Sequence, residues 1–135
     1  MRARLPGQNN PYWTPKHDYR CAVEWCLRYP DWKKELMSLP EVNKGIDYSK
    51  DKIQSNSDYD ATAELAIRRV EIEGKINLLE TTAKLCMPEL PQYLIMGVTE
   101  DGITYNALHT RGMPYSQNAY FKIRQKFYHL IAKRI

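Results

Sequence analysis

The chain has 135 residues and a net charge of +4, with 43% hydrophobic and 27% charged residues, which is the composition of a folded domain. No apolar run approaches the roughly 20 residues that a membrane span needs. The basic start Met1-Arg2-Ala3-Arg4 is not followed by the apolar stretch of a secretory signal, so a cytoplasmic, membrane-free protein is expected.

Residues 1–13 hold Pro6, Gly7, Asn9, Asn10 and Pro11 and read as a basic arm without regular structure. Arg2, Arg4 and Lys16 give that arm the means to reach a minor groove. Thr14-Pro15 reads as a helix start, with Thr14 as N-cap. Behind it, Tyr19, Ala22, Val23, Cys26 and Leu27 recur at the spacing of one apolar stripe. Pro30 separates that helix from a short second one over 31–38. Trp13, Trp25, Trp32, Tyr12, Tyr19 and Tyr29 concentrate aromatic side chains in the first 32 residues, and the aromatic-rich helices of 14–38 are suited to packing or, alternatively, to holding a partner. The polar stretch 39–57 reads as a linker.

Ser57 to Asp60 resembles a capping box and opens a long central helix that ends before Pro88. Leu65, Ile72, Ile76, Leu79, Ala83 and Cys86 form a heptad-like seam once Arg69 is allowed as an exception, and Ala63, Ala66 and Val70 widen it. Such a helix serves a bundle core or, alternatively, a homodimer. Glu71, Glu73 and Glu80 lie among Arg68, Arg69, Lys75 and Lys84 and read as ion pairs along that helix rather than as catalytic carboxylates. Leu90 to Val98 suits a strand or a short buried helix; Pro91 and the helical surroundings favour helix. Asp101-Gly102 is a turn.

From Gly102 onward the chain carries Arg111, Lys122, Arg124, Lys126, Lys133 and Arg134 and no Asp or Glu. Thr104 can cap a helix from Tyr105 to about Arg111, Gly112-Met113-Pro114 breaks it, and Ser116 can cap a last helix over 117–134. Tyr120, Ile123, Phe127, Leu130 and Ile131 share one side of that helix, centred on Ile123 and Phe127. Gln117, Asn118, Phe121, Lys122, Arg124, Gln125 and His129 fall on the flanks and the opposite side. Gln, Asn, Lys and Arg near a helix N-terminus are the groups that contact base edges in a major groove, and a free N-terminus accepts a phosphate. The expected fold is therefore all-α, a small helical bundle with one long central helix and a C-terminal helix-turn-helix over 58–135.

The three cysteines, Cys21, Cys26 and Cys86, read as reduced, packed thiols, and the scattered histidines lack ligand spacing. Neither a metal nor a cofactor is expected. No phosphate loop or nucleophile motif is present, so an enzyme is not expected either.

Two stretches, KINLLETTAKLCMPELPQYLIMGVTEDGITYNAL (75–108) and GMPYSQNAYFKIRQKFYHLIAKR (112–134), resemble a family of small phage and prophage proteins of Gram-positive bacteria. These carry a helix-turn-helix similar to region 4 of sigma factors and are related to RinA- and ArpU-type late-gene regulators. YWTPKHDYRCAVEWCLRYPDWKKEL (12–36) looks like the start of such proteins. The resemblance implies a transcription regulator binding double-stranded DNA in a bacterial host cell. It makes 104–111 the supporting helix and 117–134 the recognition helix. On that basis Arg111, Tyr115, Ser116, Gln117, Asn118, Phe121, Lys122, Arg124, Gln125, Lys133 and Arg134 are the candidate DNA contacts. A different class of reading also fits: a phage-encoded protein-binding module that inhibits or redirects a host nucleic-acid machine, RNA polymerase or a defence complex, or binds another host protein.

Overall fold

The computed structural model describes residue 7, residues 9–39 and residues 56–135, the side chains of 56–60 excepted. Most of the expected linker 39–57, and Arg2 and Arg4, lie outside these residues. The described chain is all-α, with α1 at Lys16–Leu27, α2 at Tyr29–Ser38, α3 at Asn56–Cys86, α4 at Pro91–Thr99, α5 at Tyr105–Thr110 and α6 at Gln117–Arg134.

Helix α3 organises the bundle: α2, α4 and α6 pack on it, and α1 packs across α6 and α4. Ile72, Ile76, Leu79, Ala83 and Cys86 are all buried on one face, because steps of four and three residues return to the same side of a helix. The expected seam therefore serves this chain's own core from Ile72 onward. Into it α1 inserts Tyr19, Ala22 and Cys26, α4 inserts Leu94 and Val98, α5 Leu108, and α6 Tyr120, Phe127 and Ile131. Each large apolar side chain so buried contributes about 1.5–3 kcal/mol. The opposite face of α3 is bare: Ile67 is 60% exposed, Val70 68% and Leu85 55%.

Of the aromatic residues of the N-terminal third, Tyr19, Trp25, Tyr29 and Trp32 pack in or against the core, while Trp13 is exposed. The Trp25 and Trp32 rings meet edge to face at 4.7 Å, and Tyr19 meets Tyr128 of α6 at 5.3 Å. Polar contacts dock α2 on α3. Arg68 donates both Nε and Nη2 to the Glu35 carboxylate at 2.7 and 2.8 Å. Glu80 accepts from the Tyr29 hydroxyl at 2.6 Å and pairs with Lys33 at 3.1 Å. Glu80 thus bonds across to α2 instead of along its own helix, while Arg69–Glu73 at 3.1 Å and Arg68–Glu71 at 3.6 Å keep the expected spacing.

Several local expectations change. Residue 15, not Thr14, precedes α1, and no side chain caps it. Thr14 is buried, with its hydroxyl 3.1 Å from His129 Nδ1. Helix α3 starts at Asn56, which places Ser57 inside the first turn rather than ahead of it. The described part of the arm is ordered by turns: Asn10 Oδ1 accepts from the Tyr12 amide at 2.8 Å, and the Asn10 carbonyl accepts from the Trp13 amide at 2.9 Å. An Asn side chain bonding its own backbone two residues on closes such a turn without regular structure.

Candidate nucleic-acid interface

Helix α5 begins where Thr104 Oγ1 accepts the Ala107 amide at 3.1 Å. Gly112 ends the pair of turns behind it with φ of 111°, a conformation that residues with a Cβ rarely adopt. Met113 is fully buried and pins the connection to the core. Two further bonds fix its path. The Tyr105 hydroxyl donates to the Tyr115 carbonyl at 2.6 Å, and His109 Nδ1 lies 2.9 Å from the Met113 carbonyl. Ser116 Oγ then accepts the Ala119 amide at 3.2 Å and starts α6. Both expected caps are present.

This local geometry sets Ser116, Gln117, Asn118 and Lys122 on the surface at the start of α6, with Tyr115 and Phe121 half-buried beside them. The rest of the expected contact set is dispersed. Arg124 is only 6% exposed. The buried side of α6 runs through Tyr120, Arg124, Phe127, Tyr128 and Ile131, so the helix is turned away from the Ile123-centred orientation toward Arg124 and Tyr128. Ile123 and Leu130 are left half-buried. Gln125 Oε1 accepts from Asn10 Nδ2 at 3.0 Å, and the Tyr12 ring sits 5.8 Å from that of His129. The arm thus lies across the middle of the outer side of α6. Arg111 is exposed but gives Nη1 to both Glu100 oxygens at 2.9 and 3.0 Å. Lys133 is exposed at the far end, and Arg134 Nη1 donates to Thr82 Oγ1 at 3.3 Å. The six basic residues of the C-terminal quarter do not share one face.

Arg124 is the feature that residue pattern alone misplaced. Its guanidinium lies 4.6 Å from the Phe121 ring centre and 5.7 Å from that of Tyr120, and its Nε is buried without a hydrogen-bond partner. Among the described residues no carboxylate comes within ion-pair distance of it. The signal in the sequence was the pair Tyr120-Phe121, three and four residues earlier, where a helical side chain leaning toward the N-terminus finds an aromatic face. Burial pushes the Tyr19 phenol up to about 12 and raises those of Tyr120 and Tyr128, while the positive charge of Arg124 works against each rise.

In class, the molecule is a small all-α bundle built round one long helix. No family model, curated protein or solved structure matches the chain. The resemblance to phage regulators stands on its sequence stretches alone.

Proposed function

We propose that the chain binds duplex DNA through the start of α6, as a regulator of the kind its sequence resembles, with α5 as the supporting helix of a helix-turn-helix. One observation carries this reading: a connection fixed by Met113, Tyr105 and Ser116 holds Gln117, Asn118 and Lys122 outward at a capped helix N-terminus. Asn and Gln make paired hydrogen bonds to adenine, and lysine contacts guanine or a phosphate. The contact set is narrower than the sequence implied. It consists of Tyr115, Ser116, Gln117, Asn118 and Lys122, with Arg111 and Lys133 as outlying phosphate contacts, and leaves out Phe121, Arg124, Gln125 and Arg134.

Gel-shift titration of random duplex at low salt tests this reading. Saturable binding is expected, lost on Lys122→Ala combined with Asn118→Ala; no binding by the unaltered chain would overturn it.

The second reading, a module that binds host RNA polymerase or another host protein, draws on the dispersal of the basic residues and on the exposed Ile67 and Val70. A host protein retained from nuclease-treated lysate and lost on Val70→Glu, with no duplex binding, would favour it.

A further inference from the structure

A cleft of about 630 Å³ opens between α1, the end of α4 with its following turn, and α6. Its walls are apolar where Val23 and Leu27 of α1 face Val98 and Ile103. Tyr19, Tyr128 and Arg124 also line it, and Lys16 and Arg20 stand at its α1 side. This size, with apolar walls and a few convergent polar groups, is the usual form of a small-molecule site.

Arg124 gives the cleft its chemistry. A buried guanidinium is normally matched by a carboxylate, since taking a charge out of water is costly. Here the residue is 94% removed from solvent, its Nε is unpartnered, and the described residues supply no acid to it. The guanidinium carbon lies over the Phe121 ring, 4.6 Å from its centre. A planar guanidinium is the partner that a carboxylate meets with two hydrogen bonds.

From this geometry we infer that the cleft binds a small organic acid, with its carboxylate on Arg124 and its apolar body between Val23, Leu27, Val98 and Ile103. The other charges in the lining favour a single negative charge. The lining holds Lys16 and Arg20 and, of opposite sign, Glu24 and Asp101, and Glu100 is paired with Arg111. A doubly charged phosphate would meet Glu24 and Asp101 without a second buried cation to offset them. The inference is separate from DNA binding, because Arg124 faces inward.

The test is titration of the full chain with hexanoate, benzoate and 3-phenylpropionate, followed by calorimetry and by amide NMR shifts. The corresponding neutral amides and inorganic phosphate are run beside them. At least one carboxylate should saturate, moving signals of Tyr19, Ile103 and Tyr128. Its amide should bind about tenfold or more weakly, the loss of one charge-assisted hydrogen-bonded pair. Arg124→Met should lose the carboxylate by a similar factor while its melting temperature stays equal or rises, since an unpaired buried charge has been removed. Val23→Phe, which narrows the cleft and leaves Arg124 in place, should weaken binding too. The inference is overturned if none of the three acids saturates, if amide and acid bind alike, if phosphate binds best, or if both folded variants bind as well as the unaltered chain.

Discussion

At position 97 of α4 a hydrogen takes the place of a side chain because the Tyr120 hydroxyl of α6 already fills the room a Cβ would need. Gly97→Ala must push that ring or the two helices apart, and overpacking of this kind costs about 1–3 kcal/mol. Urea denaturation should show the loss, whereas Gly74→Ala, where an added Cβ meets nothing, should hold or gain stability. Both glycines sit inside helices; the approach of another helix is what separates them. The cysteines differ in the same way. Cys26 and Cys86 are buried, which raises both thiols and carries that of Cys26 well above the ordinary range, while Cys21 is exposed. A thiol reagent on the folded chain should label Cys21 quickly and the other two only after denaturant is added.

Individual helices show why part of the structure was legible and part was not. The limits of α6 were readable because both signals are local: Ser116 caps its start, and Gly112-Met113-Pro114 interrupts the chain ahead of it. Its rotation was not. Arg124 carries a charge that a hydropathy wheel turns outward, and the arrival of Tyr19 and of the α4 turn is what gathers Arg124 and Tyr128 on the inward side. Thr14 misled for a similar reason, since a residue suited to cap α1 bonds His129, 115 positions away. In α3 the seam was right as a stripe, yet its partner is the chain itself. Any pairing of two copies through α3 must therefore use the opposite face with Ile67, Val70 and Leu85.

The Arg68 fork holds Glu35 below the usual carboxylate value of 4.5. At Glu80, burial works to raise the carboxyl, but the Tyr29 hydroxyl and Lys33 outweigh it, and the net shift is also downward. A carboxylate whose folded value is depressed adds stability above its unfolded value and loses it as pH falls through the folded one. The α2–α3 contact should therefore hold above pH 4.5 and weaken progressively below it. Tryptophan fluorescence, with Trp25 and Trp32 reporting, should show that acid transition, and Glu80→Gln should flatten it.

Over the whole molecule, the concentration of positive charge after Asp101 is a property of sequence more than of surface. Arg124 is inside, Arg134 reaches Thr82, the arm crosses Gln125 and His129, and Arg111 shares its exposed guanidinium with Glu100. What remains for DNA is the set at the start of α6, with exposed Arg111 and Lys133 as outlying phosphate contacts. Binding should accordingly depend on salt less steeply than six free cations would require: about 0.9 in log–log slope for each phosphate neutralised, hence roughly −2 to −3 for Lys122, Arg111 and Lys133 together. The most direct measurement is fluorescence anisotropy of the full chain on random duplex across a salt series, repeated with Lys122→Ala and Arg124→Met. The structure-based expectation is a shallow slope near that range, reduced by about one on Lys122→Ala and unchanged on Arg124→Met. A slope near −5, or a loss of slope on Arg124→Met equal to that on Lys122→Ala, would contradict it, as would the absence of any binding at low salt.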